Sequence, residues 1–295
     1  MTIRKPVVAG QFYPEDKTDL KDEVKEYLNE KNENISACIS PHAGYVFSGK
    51  LMGDVLGRFR QKKDFIILGV NHSGLGARVS FSSADFETPL GIVKNNLALG
   101  EKILKKLKKE DLDVAVDELP HNQEHSIEVL LPFLQESQKK FSIVPILLSG
   151  LSYEECVGVA SIVSAFIDEN IGLIISSDFT HYGANYGFYP FNGDLEKLDF
   201  SNLQKSEKEH KISEVIKKNL YYFDNEIIIN ILNKNSKKVF ELASKSTICG
   251  LYGITIISEI AKIKNWKAKL VEYYTSGDVV DKWDSVVGYA GISFG

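Results

Sequence analysis

The chain has few cysteines, no long apolar run and no excess of positive charge. Only three cysteines occur in 295 residues, Cys38, Cys156 and Cys249. They are too few and too scattered for a disulfide framework, and no C-x-x-C pair exists. No apolar stretch approaches the ~20 residues that cross a bilayer, so no membrane span or membrane partner is expected. The opening MTIRKPVVAGQFYP lacks the apolar centre of a signal peptide. With reduced thiols, the expected location is cytoplasmic. Lys and Arg total 35 against 40 Asp and Glu, a net charge of -5, so nothing global favours nucleic acid. The densest basic patch, Lys105 to Lys109, reads as a solvated helix face. There is no internal repeat, low-complexity tract or Ser/Gly linker, and one domain over residues 1–295 is expected.

What is present suits a soluble α/β protein. The composition, 43% hydrophobic and 25% charged, can build a core. Apolar runs at 35–40, 64–70, 141–148, 171–175, 269–275 and 286–294 read as strands, and 78–94 as a β-rich excursion. Pro145 places the third of these runs at an edge or a bulge. Amphipathic patterns predict helices over 16–32, 48–60, 97–109, 126–136 and 153–169, and another after Cys249. A further helix is expected over 224–233, capped by Asp224. Residues 185–215 read as an irregular insertion leading into helix. Strands alternating with helices predict an α/β fold with a mostly parallel central sheet flanked by helices.

The stretch IGLIISSDFTHYG, 171–183, is the most informative. An apolar run passes through two serines into Asp178 and His181. In open α/β sheets, ligands bind beyond the carboxyl ends of the strands. His42 and His72 follow other apolar runs in the same manner. One histidine at a strand end is more often a satisfied polar residue than a ligand. Three of six in one setting suggest convergence on one sheet edge. Neutral imidazole is the commonest metal ligand. Asp178 would then either bind the metal or orient a ring from behind. Cys249 precedes a helix, where the dipole and free N–H groups favour thiolate. Cys38 and Cys156 lie inside apolar patterns and read as core.

His121 and His125 stand four apart in HNQEH. The Glu is misplaced for the H-E-x-x-H zinc motif. The pair reads as supporting or substrate-facing residues, or as a polar cluster capping a helix. Gly44 to Lys50 has the G-x-x-x-x-G-K spacing of a phosphate loop. Leu51 stands where the Mg²⁺-binding hydroxyl belongs, and Tyr45, Val46 and Phe47 are too bulky to wrap phosphate, so nucleotide hydrolysis is not expected.

Seven segments carry a resemblance through nearly the whole chain: PVVAGQFYP at 6–14, PHAGYVFSG at 41–49, NHSG at 71–74, ETPLG at 87–91, EHSIEVLLPFLQ at 124–135, SSDFTHYG at 176–183 and ICGLYGI at 248–254. In these the sequence resembles the Memo family. That family is similar in fold to the class III extradiol dioxygenases (LigB-like), non-haem iron enzymes that open catechol rings. The resemblance implies a metal pocket at His42, His72 and Cys249, with Asp178 and His181 beside it. Cys249 matches the position of the dioxygenases' carboxylate ligand. Thiolate is softer and suits Cu(I), Zn or Fe(II), and Fe(II) is the first expectation. His181 matches the dioxygenases' acid–base histidine. The resemblance also implies a small aromatic, peptide or phosphopeptide ligand, with His121, His125, Tyr45 and Tyr182 as candidate contacts. Radical-SAM and AMMECR-type proteins are the partners it implies. The expected function is a metal-dependent oxidoreductase of open substrate, or a peptide-binding module that keeps the pocket without turnover.

Overall fold

The computed structural model describes residues 2–29, 31, 33–199, 201 and 204–295. Its centre is four adjacent parallel strands, in the order Ser142–Leu148, Asp64–Val70, Ile171–Ser176 and Ala37–Ser40. The register is tight: Ile67 stands between Pro145 and Ile174, and Ile39 lies opposite Ile175. Side chains alternate between the two faces of a strand. Ile66, Leu68, Val144, Ile146, Leu173 and Ile175 face one way, onto helices Tyr153–Ser164 and Leu251–Ile263. Phe65, Ile67, Ile143, Leu147 and Ile174 face the other, onto helices Lys17–Tyr27, Tyr45–Leu56 and Leu131–Ser137. A sheet covered on both faces must be apolar throughout, which is why these runs show no polar alternation.

The sheet extends at both sides to twelve strands. Beyond Ala37–Ser40 lies the antiparallel strand Ser285–Phe294, which also pairs with Ala268–Thr275 and His181–Gly183. On the other side, Ser142–Leu148 meets two partners in turn. Gly91–Asn95 pairs with its start and Val79–Phe81 with its end. Pro145 falls at this changeover, where no ladder N–H is called for, and its carbonyl accepts from the Ser82 N–H at 3.2 Å. It is therefore neither at an edge nor in a bulge; an interior strand tolerates it because the partner changes there.

Three expected helices take another form. The first runs over Lys17–Tyr27, with the Asp16 carboxylate accepting from the N–H groups of Thr18 and Asp19; its expected end at Asn32 lies outside the described residues. Residues 121–137 hold two short 3₁₀ turns, His121–Gln123 and Glu128–Leu130, before the helix Leu131–Ser137. A helix begun at Ser126 would need an N–H from Pro132 to the Glu128 carbonyl, and proline has none. The helix expected over 224–233 is the last part of a 28-residue helix, Lys205–Leu232. Asp224 is no cap: it is fully buried in mid-helix, accepting from Thr180 Oγ1 at 2.5 Å and the Tyr273 hydroxyl at 2.6 Å. Gly44 is the N-cap of Tyr45–Leu56. Gly49 and Lys50 are therefore helical, and this stretch cannot form a phosphate-cradling loop.

Candidate metal centre

His42, His72 and Asp178 each lie two residues beyond a central strand. The three strands are parallel neighbours, so their ends share one edge, with Asp178 between the two histidines. Cys249 reaches the same edge from far along the chain. It precedes Gly250, the N-cap of Leu251–Ile263. The Gly250 N–H donates to Ser177 Oγ at 3.0 Å, and a Cβ at this position would collide with the Ser177 side chain. Only glycine lets the backbone approach closely enough to deliver the thiol. One donor atom from each of His42, His72 and Cys249 then lies within 4.8 Å of the others.

The hydrogen bonds around these rings fix their tautomers. Ser176 Oγ donates to the Ser126 carbonyl at 2.5 Å, so it accepts from His42 Nδ1–H at 2.8 Å. His42 Nε2 is left with its lone pair, 3.3 Å from Cys249 Sγ. His72 Nδ1 donates to Glu124, 3.0 Å from both carboxylate oxygens, which leaves Nε2 as its free nitrogen. Such outer partners hold ligand rings in place. Glu124 also accepts from the backbone N–H groups of His72, His125 and Ser126. A second trio, His72, Glu124 and His125, also stands close enough to share an ion. There the carboxylate is already filled by N–H donors, which makes Glu124 a support for His72.

Burial governs the charges. It would raise the Glu124 carboxyl, but the hydrogen bond and charge of His72 outweigh it and hold the group at about 2. Burial lowers His72, but Glu124 reverses this and the ring ends above its ordinary value. His42 is held well below by burial and by the neighbouring rings. Asp178 is pushed up to about 7 by burial, against the opposing N–H groups of His42 and Ala43. The Cys249 thiol moves far up through burial and the nearby Asp178 charge, although the Asp178 N–H points at the sulfur from 3.2 Å. Burial thus opposes the thiolate expected from the helix N-terminus, and it outweighs the hydrogen bonds from Asp178 and Ser177 that favour it.

His181 stands across the opening. Thr247 grips it: the His181 N–H donates to Thr247 Oγ1, and its Nδ1–H donates to the Thr247 carbonyl at 3.0 Å. A carbonyl can only accept, so Nε2 carries the lone pair. Burial lowers the basicity of this ring. A cavity of about 550 Å³ spans His42, His72, His125, Asp178 and His181, with Phe12, Phe47 and Tyr186 among its apolar walls. His125 stacks on His72, ring centres 5.0 Å apart at 6°.

Three expected ligand contacts do not reach this cavity. His121 is 1% exposed, with Nε2 donating to the Ser80 carbonyl at 3.0 Å and burial lowering it to about 4. Tyr45 is 1% exposed and its hydroxyl donates to the Val129 carbonyl at 2.7 Å. Tyr182 alternates away from His181 along the strand His181–Gly183 and stacks on Phe191 at 5.7 Å. In each case the polar end finds a local partner, or a packed ring, on the far side of its element. Sequence reasoning also overlooked Ser126, Ser176, Glu124 and Tyr289 as site residues. The first three do fall within quoted family segments, in EHSIEV and SSDFTHYG; Tyr289 carried no signal.

The donors fit a metal ion. Two imidazole nitrogens and one sulfur converge, both rings are braced from behind, and the cavity lies against them. Nitrogen and sulfur donors of this kind suit Zn, Cu or Fe(II).

A family model described as "Memo-like protein" matches residues 4–293. A MEMO1 family protein of Pyrococcus abyssi is 36% identical over 310 residues, covering 98% of each chain. MEMO1 family proteins of Methanosarcina mazei and Archaeoglobus fulgidus are 33% and 35% identical, each alignment covering 99% of both chains. The chain belongs to the Memo family.

Proposed function

We propose that this Memo-family chain is a metal-dependent oxidoreductase with a dioxygenase-like pocket. His42, His72 and Cys249 would hold the ion, with Fe(II) preferred and Cu or Zn as alternatives. The observation that carries this is the meeting of their donor atoms within 4.8 Å, both imidazoles committed through Nδ1 to other partners. Such an ion, when bound, supplies a Lewis acid and, for iron or copper, redox chemistry at positions left open toward the cavity.

The chain's own side chains do the rest. His181 takes a proton at Nε2 from a substrate hydroxyl and returns it, its ring held by Thr247. Asp178 fixes the His42 loop by accepting the His42 N–H at 2.8 Å. Phe12, Phe47 and Tyr186 exclude water and give a small aromatic or peptidyl ligand an apolar bed. A cytoplasmic location and radical-SAM and AMMECR-type partners complete the proposal. The three unpaired cysteines are consistent with a reducing compartment.

Anaerobic purification, metal analysis and oxygen uptake with catechols and with thiols test the reading. Bound iron with oxygen uptake abolished in His181→Ala supports it. Metal without oxygen chemistry, together with peptide affinity, favours the second reading, a non-catalytic peptide- or phosphopeptide-binding module. One observation speaks for that module: Val46, Tyr186 and Val280, 64%, 42% and 41% exposed, form apolar surface around the cavity.

A further inference from the structure

We infer a second ligand site behind the strand that carries His181: a cavity of about 710 Å³ that takes a small organic cation, an ammonium or guanidinium on an apolar chain. The inference goes beyond the proposed function and stands whether or not a metal binds.

The strand His181–Gly183 and its partner Ser285–Phe294 form a partition. Successive side chains on a strand face opposite ways. His181 and Val287, paired in register, line the metal cavity. Tyr182 and Val286, the next pair, belong to a separate apolar cluster with Ile216 and Trp283. Tyr182, Ile216 and Trp283 line the second cavity, where Leu195 and Ile212 complete an apolar floor. Tyr182 is 3% exposed, and its hydroxyl makes no hydrogen bond among the described residues. A buried phenol normally has a partner. An occupant with N–H groups gives the Tyr182 oxygen the donor that the protein does not.

The rim selects the charge. Three carboxylates, Glu209, Asp281 and Asp284, line this cavity against one ammonium, Lys282. Among the described residues these carboxylates have few partners. Asp284 is engaged only through its backbone carbonyl, which accepts the Ala184 N–H. Asp281 accepts from Trp283 Nε1–H at 3.2 Å, and Glu209 faces Lys205 Nζ at 3.7 Å. An apolar floor under a rim of excess negative charge matches a molecule with an apolar chain and a cationic head. An anion of the same shape meets the same rim with the wrong sign. Lys282 and Asp284 also line the metal cavity, so the two sites meet at this rim.

The test uses the full chain in a Trp266→Phe background, where Trp283 is the one remaining tryptophan. Hexylamine, agmatine and the neutral hexan-1-ol are titrated and followed by Trp283 emission, with calorimetry on the wild type as a second readout. Hexylamine is expected to bind ~5-fold or more tightly than hexan-1-ol, and to weaken as salt rises. Asp281→Asn and Asp284→Asn should each cost roughly 2–5-fold on both cations and nothing on hexan-1-ol. Asp281 has a φ of 52°, a region that asparagine also adopts, so that variant keeps the loop. Tyr182→Phe should weaken both cations several-fold, with circular dichroism as the fold control. Equal affinity for amine and alcohol overturns the inference, as does the absence of saturable binding. Cation affinity unchanged in Tyr182→Phe, or in both acid variants, does the same. Metal content is measured alongside. A chain that binds the cations but no metal keeps this site and removes the oxidoreductase reading.

Discussion

Cys249 Sγ lies 3.3 Å from His42 Nε2, across 207 positions of sequence. His42 follows one strand and Cys249 precedes a helix, and a third segment, Ser176 to Asp178, braces both. Ser176 takes the His42 ring hydrogen, Ser177 receives the Gly250 N–H, and the Asp178 N–H faces the sulfur. Two of the three donors, His42 and Cys249, are thus held on one short strand end, while Glu124 holds the third, His72.

If these donors share an ion, His42→Ala, His72→Ala and Cys249→Ala should each purify folded and without stoichiometric metal. Metal analysis after anaerobic purification, with circular dichroism as the fold control, checks this. Full occupancy in any of the three would remove that residue from the ligand set.

Glu124 touches no substrate in this scheme; it fixes His72. Glu124→Gln keeps the shape and loses the charge, and should weaken metal binding by ~10–100-fold. Competition against a chelator of known affinity measures it. An unchanged affinity would mean that His72 needs no such brace.

The buried Arg4–Glu128 pair ties the first residues to the core. Its ion-pair distance is 2.7 Å, and Glu128 also accepts from the Val7 and Val8 N–H groups and the Tyr13 hydroxyl. Removing one partner leaves a buried charge alone. Arg4→Met should therefore cost about 3–5 kcal/mol in denaturant unfolding. A loss under ~1 kcal/mol would show that the pair contributes no more than an exposed one.

Asp224 sets a pH dependence. Burial pushes its carboxyl up to about 6 from an ordinary 3.8, although Thr180 and Tyr273 donate to it. The folded chain therefore binds this proton more tightly than the unfolded one. The stabilising contribution is full below about 3.8 and is lost as pH rises through about 6. At neutral pH the group costs on the order of 3 kcal/mol relative to acid. Stability curves of the wild type and Asp224→Asn should diverge between these pH values, with the wild type falling relative to the variant. Parallel curves would place the carboxyl at its ordinary value.

Gly250→Ala tests the approach of the thiol. The added methyl meets the Ser177 side chain, so the loop must retreat. Stability should drop by roughly 1–3 kcal/mol, and metal affinity should fall with it. A variant with wild-type affinity would show that Cys249 does not depend on this contact.

Much of this was legible in the residues themselves. Apolar runs of strand length, closed by Pro-His, Asn-His and Ser-Asp, predict buried parallel strands with His42, His72 and Asp178 at one end. That follows from local chemistry, because burial on both faces demands continuous apolar residues and strand ends demand turns. Other expectations failed where a distant group decided the outcome. Asp224 looks like a cap beside its own helix, yet its donors are Thr180 and Tyr273. Tyr45 and His121 look like pocket residues, yet the Val129 and Ser80 carbonyls claim them.

The sequence by itself determined the α/β class and brought two histidines and an aspartate to one sheet edge, since periodicity and turn residues act over a few positions. Only the tertiary structure decided that Cys249 joins them, that Glu124 and Ser176 set the ring tautomers, and that Tyr289 faces the cavity. Hydrogen bonds and desolvation depend on which atoms meet in space, and chain order does not record that.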